Sequence, residues 1–135
     1  MRHHGSQRGR KGGAAVELAV LAPLLAFLFV IAVDFARVFY YTQVIENCAR
    51  NGALYASDPK TQSQSPYSTL TDAATADAPS LSPTPTATST TGTDAAGNDY
   101  VQVTVSWTFK TITGFPGIPN TVNISRTVQM RVAPQ

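Results

Sequence analysis

Glu17 is the sole charged residue in a run of twenty, residues 14–33, reading AAVELAVLAPLLAFLFVIAV. A carboxylate in that setting can accept hydrogen bonds or pair with a cation brought to it by another chain. Left alone at the centre of a membrane span, it costs on the order of 2.5–3.5 kcal/mol even on lenient insertion scales. Its presence therefore points to a partner, unless it lies close enough to the membrane surface to be hydrated. Two further charge pairs have helical spacing, Asp34 with Arg37 and Glu46 with Arg50. Such pairs add a few tenths of a kcal/mol to a helix at most, and read as a solvated face. Cys48 is the single cysteine, so no internal disulfide can form, and it reads as a small packing residue or a link between chains. His3 and His4 have no cysteine or carboxylate beside them and predict no metal site. Asn123-Ile124-Ser125 fits the glycosylation sequon but falls within an expected strand. No Ser/His/Asp arrangement, phosphate-cradling glycine loop or paired carboxylates occur. The expectation is a protein that is not an enzyme, with no cofactor, no metal and no small-molecule substrate.

The elements that must position these residues begin with residues 14–33. At about 1.5 Å per residue, an α-helix of that length reaches the roughly 30 Å of a bilayer's hydrocarbon core. The leader before it carries Arg2, Arg8, Arg10 and Lys11, so its formal charge is +4 of a total of +2, and the remainder is −2. The basic excess is thus topological and predicts no nucleic-acid partner. Basic residues clustered before a first span hold that end in the cytoplasm. The expected location is the inner membrane, crossed once, with the C-terminal part outside the cytoplasm.

The helix is predicted to continue beyond the span to residue 57, giving about 44 residues and roughly 65 Å, with Asp58-Pro59 as its stop. Val38, Tyr41, Ile45, Cys48, Gly52 and Tyr55 recur at spacings of three and four and predict one narrow packing face. Residues 58–98 are rich in Ser, Thr, Pro, Ala and Asp, and read as a long mobile linker with one short helical turn near residues 69–76. After the Gly97-Asn98 turn signal the period becomes two. Val101, Val103, Val105, Trp107 and Phe109 form one apolar row, and Val122, Ile124, Val128, Met130 and Val132 another, interrupted by Arg126. Two such strands predict an antiparallel hairpin, which needs the helix stripe behind it because an isolated hairpin is marginal in water. The loop between them leaves Phe115 and Ile118 without a core position, to touch lipid, a partner or their own loop. The fold class expected is α+β: a single-span long N-terminal helix with a small C-terminal antiparallel sheet. Its segments are a basic leader (1–12), the helix (13–57), the linker (58–98) and the β-hairpin region (99–135).

The order of basic leader, Gly12-Gly13-Ala14-Ala15-Val16-Glu17, a span containing Leu21-Ala22-Pro23-Leu24-Leu25, then Asp34-Phe35-Ala36-Arg37 and Asn47-Cys48-Ala49-Arg50-Asn51-Gly52-Ala53 resembles the TadE-like family over about residues 12–56. That family includes minor pseudopilins of the tight-adherence, or Flp-type, pilus system. The resemblance implies an inner-membrane subunit clipped by a prepilin peptidase and needed for assembly of adhesive pili. By the family's pattern cleavage falls after Gly12, making Gly13 the new N-terminus and Glu17 its fifth residue. Leu18 departs from the tyrosine that follows the glutamate in the best-known pseudopilins of the system. Cleavage would remove the leader's charges and expose an α-amine, with which the Glu17 carboxylate of a neighbouring subunit can pair, fixing axial register. The partners implied are the membrane, other pilin or pseudopilin subunits with their assembly machinery, and the peptidase.

Two other readings stand beside this one. Val30-Ile31-Ala32 is a permissible site for ordinary signal peptidase, which would release a secreted binding domain beginning at Val33. Alternatively, the chain is never processed and serves as a membrane-anchored envelope protein.

Overall fold

A computed structural model of the chain describes residues 10–114 and 119–133. The first element, α1, runs unbroken over Arg10–Ser57, 48 residues, or about 72 Å at 1.5 Å per residue. It passes through Pro23 without stopping. The same helix has two environments. From residue 12 to residue 26 every side chain is exposed, while beyond Asp34 one face is covered. Asp58 and Pro59 end it as the sequence predicts and start the next helix: Asp58 caps α2 (Pro59–Gln64), with its side chain accepting from the Lys60 amide. Proline suits that first helical position because its missing N–H would be unpaired there anyway.

A second short helix, α3 (Leu70–Thr75), is capped by the Thr69 hydroxyl. Three strands follow, β1 (Thr86–Thr93), β2 (Asp99–Lys110) and β3 (Thr121–Arg131), in the order β1-β2-β3 and antiparallel throughout. Val103 lies opposite Ser89 on one side and Val128 on the other. The two expected strands therefore exist and pair, but they belong to a three-stranded sheet rather than a hairpin. The alternation assigns faces as predicted: Val101, Val103, Val105, Trp107 and Phe109 are all buried, and Arg126 is exposed where it breaks the apolar row of β3.

That buried face lies on the outer half of α1. Ile45, Cys48, Ala49 and Ala53 from the helix join Ala74, Leu81 and the β2 row in one core. Each fully buried valine or phenylalanine contributes roughly 1.5–3 kcal/mol, which is why the sheet is held by the helix and not by its own ladder. Gly52 marks the closest approach: a Cβ there would sit 3.0 Å from Val103 Cγ1 and 3.2 Å from Ala74 Cβ. The last strand is tied to the end of α1 by the Ala133 amide, which donates to the Ser57 carbonyl at 2.9 Å.

The reading of residues 58–98 as a mobile linker is corrected by this architecture. That segment contains α2, α3 and β1. Its one expected helical turn corresponds to α3, whose Ala73 and Ala74 are buried against α1. The Pro83 carbonyl accepts the indole N–H of Trp107 at 2.7 Å. An Asp94 turn with Gly97 at φ 80° then joins β1 to β2. Asp94 accepts from the Ala96 and Asn98 amides, and the Asn98 amide foremost draws its carboxyl below the usual range. The expected positions of His3, His4, Phe115 and Ile118 lie outside the described residues.

Candidate functional site

Sequence places the chemistry on α1, and the structure divides it between two stretches of that helix. Gly12 and Gly13 lie in its first turns, where an added Cβ would meet nothing within 4 Å. Glu17 is exposed one turn further on, among exposed Val16, Leu18, Val20 and Leu21. The stretch with the strongest apolar character has none of its residues buried, so it presents an apolar surface to lipid or other helices.

The second stretch is the packing stripe. Ile45, Cys48, Gly52 and Tyr55 are buried, and Val38 and Tyr41 are half-buried against the same core. Tyr41 meets the rings of Trp107 and Phe109, with centroids 4.9 and 5.6 Å apart. The Arg37 guanidinium stands over Phe109 at 4.9 Å from its centroid, within cation–π range. Cys48 is fully buried, and burial, reinforced by the charge of Asp77, pushes its thiol up. It is therefore neither a reactive thiolate nor placed to link chains. Tyr55 donates to the Tyr67 carbonyl at 3.3 Å, and Asn51 to Asp77 at 2.8 Å, which hold the segment around α3 to the helix.

Asp34 corrects the expectation of a solvated charged face. Its side chain is buried, and its carboxylate accepts from the Ile112 amide at 3.0 Å, the Thr113 amide at 2.9 Å and the Thr113 hydroxyl at 2.6 Å. Arg37 adds a fourth contact at 3.2 Å. The Thr113 hydroxyl and then the Ile112 amide do most to hold this carboxyl down, to about 2 from an ordinary 3.8, against the opposing effect of burial. The clasp fastens the end of β2 to the first residue after the apolar run. Sequence reasoning missed it, although Asp34, Val38, Tyr41 and Ile45 follow the same four-and-three spacing, so Asp34 continues the packing stripe. Glu46 and Arg50 do form the predicted solvated pair, at 2.7 Å.

The clasp makes stability depend on acid. A carboxyl whose folded pKa is depressed contributes stability that is complete above its unfolded value and lost as pH falls through the folded one. The loss should run from about pH 4 down to about pH 2. Asp34→Ala should lower the thermal midpoint of the outer domain in detergent micelles and remove this acid dependence. It should also speed hydrogen exchange at the Ile112 and Thr113 amides, which then lack an acceptor. An unchanged midpoint with the same acid transition would show that the contribution comes from elsewhere.

Among the described residues no group of three or more His, Cys, Asp or Glu could hold a metal ion. The fold and its surface define one class: a small α+β domain built on the outer half of a helix whose inner half is apolar and long enough to cross a membrane once. Within that class the chain's helix has a particular likeness. Residues 12–54 match the model of the family described as TadE-like protein, in agreement with the resemblance carried by the sequence. No curated protein and no solved structure matches the chain. The match suggests a membrane protein associated with tight-adherence pili.

Proposed function

We propose that the protein is a non-catalytic, pseudopilin-like component of a tight-adherence (Flp-type) pilus or a related secretion apparatus. Residues 14–33 hold it in the inner membrane, its N-terminus is cytoplasmic, and its sheet lies outside. One observation carries this reading: the TadE-like match over residues 12–54 covers both the exposed apolar half of α1 with Glu17 and, up to Gly52, the stripe that seats the outer domain. A prepilin peptidase cuts after Gly12, and the released Gly13 amine of one subunit pairs with Glu17 of its neighbour. The apolar half-helices of adjacent pilin or pseudopilin subunits then pack side by side. Release by ordinary signal peptidase is disfavoured, because cleavage before Val33 would leave only one residue ahead of the buried Asp34, whose carboxylate fastens the sheet.

The mature N-terminus tests the proposal. Protein recovered from membranes should begin at Gly13, and Gly12→Ala should accumulate a precursor heavier by the 12-residue leader. A terminus at Val33 would turn the protein into a secreted domain. An intact leader in the wild type would leave a plain membrane anchor.

A further inference from the structure

The apolar surface of α1 does not stop where the apolar run stops. Beyond Asp34 the helix face turned away from the sheet exposes Phe35 at 73%, Phe39 at 62% and Tyr40 at 64%. On the sheet side Ile112 is 62% exposed, although its amide is bonded to Asp34 at 3.0 Å. The Asp34 clasp thus holds Ile112 beside the helix near the height of Phe35, the residue that follows Asp34.

These heights match the layer that borders a bilayer's hydrocarbon core. If residues 14–33 fill that core, a rise of about 1.5 Å per residue puts Phe35 at its edge and Phe39 and Tyr40 roughly 8–9 Å above Asp34. Helical side chains lean toward the N-terminus, so both rings reach back down. The headgroup layer adds roughly 5–7 Å on each side, and aromatic side chains favour it. Polarity follows the same gradient, with the two phenylalanines lower and the tyrosine, which has a hydroxyl, highest. Its ring is braced edge-on against Tyr41 at 5.3 Å. Above Tyr40 the next exposed positions are Gln43, Asn47 and Arg50, with Leu54 exposed higher still. A protein partner lying along the whole outer half-helix would be met by an apolar face continuing upward. Here the face becomes polar at the height where headgroups give way to water.

We propose that Phe35, Phe39 and Tyr40, together with Ile112, form a collar around α1 that lies in the lipid headgroup layer and seats the outer domain upright on the membrane. The collar rests on the reading of residues 14–33 as a span, and its occupant is the bilayer interface. Asp34 is its organising group, since the carboxylate ties the sheet to the helix at the membrane's surface. Arg37, between that carboxylate and the Phe109 ring, sits where a cation faces headgroup phosphates.

Tryptophan scanning of the full chain in phosphatidylcholine vesicles tests this, with lipids brominated either high or low on their acyl chains. The parent's Trp107 gives the baseline, and circular dichroism checks that each variant folds. Phe39→Trp and Ile112→Trp should both be quenched at least about twofold more by the shallow bromines than by the deep ones, as residues of an interfacial belt are. Leu25→Trp, in mid-span, should show the reverse order. Leu54→Trp, exposed but about 30 Å above Asp34, should match the parent. If Leu25→Trp escapes the deep bromines, the span itself fails and the collar with it. Should Leu25→Trp behave as expected while Phe39→Trp or Ile112→Trp stays at baseline, the span stands and the collar is overturned. Strong quenching at Leu54→Trp would also overturn it, because the half-helix would then lie along the surface. Shielding of Phe39→Trp from both bromines and aqueous iodide would overturn it in favour of a second copy covering that face.

Discussion

Glu17→Ala should accumulate in the membrane at the parent's level or above it, while assembled pili fall by about two orders of magnitude. The two halves of that result have different causes. Glu17 is exposed on α1, about 25 Å along the helix from Asp34, so removing its carboxylate from an apolar surface takes away a cost of insertion without disturbing the core. Assembly is another matter. If the carboxylate receives the α-amine of a neighbour, its loss leaves a desolvated ammonium without a partner, and breaking one side of a buried pair costs roughly 3–5 kcal/mol. An association equilibrium weakens tenfold for about every 1.4 kcal/mol, which sets the expected drop. Glu17→Gln should behave like the alanine variant, because an amide accepts hydrogen bonds but carries no charge. Normal piliation in both would show that the carboxylate lies at the hydrated surface and has no pairing role, and the unprocessed anchor would become the better description.

The parts of this fold that sequence revealed are those where one physical requirement dominates. The stripe from Val38 to Tyr55 and the rows of β2 and β3 each bury one face, and burial writes its own period into the sequence, while the apolar run is marked by its unbroken length. The TadE-like resemblance was legible on a different ground, the order of Gly12, Gly13, Glu17 and Pro23 within an otherwise apolar helix. β1 was hidden because it is an edge strand. Ala87 is half-buried, while its threonines and serine are exposed, so no apolar alternation marks it. What forms it is β-branched threonine fitting a pleated edge, a preference that composition alone reads as a linker. Gly92 faces Tyr100, whose hydroxyl lies 2.5 Å from where a Cβ would be, a packing reason for a glycine that resembles a linker residue. Asp34 was misread for a different reason. A charged residue paired with a neighbouring arginine reads as a solvated face, and only the return of residues 112 and 113 from far along the chain supplies the amides that bury it.

The consequence for residues 80–90, SLSPTPTATST, is a reversal of what a linker would allow. A mobile connection could lose those residues at little cost, and the deletion would contrast with Trp107→Asp, which puts a carboxylate on the buried face of β2. The structure makes the two changes alike. The deletion removes buried Leu81, the Pro83 carbonyl that accepts the Trp107 indole, and five of the eight residues of β1. β2 would then become an edge strand, with its backbone groups from Gln102 to Ser106 unpaired on one side. Trp107→Asp removes the same indole hydrogen bond and the ring contacts with Tyr41 and Phe109, in a place where losing a large aromatic side chain alone costs roughly 3–5 kcal/mol. Small domains have little more stability than that, so both variants should lose the outer domain. The measurement is limited proteolysis of membrane fractions with tagged chains. Parent protein and Thr88→Ala, a change on the exposed edge, should leave a resistant fragment spanning β1 to β3, and the deletion and Trp107→Asp should leave none. Survival of that fragment in the deletion alone would show that β1 contributes nothing to the fold and that residues 80–90 are a linker after all.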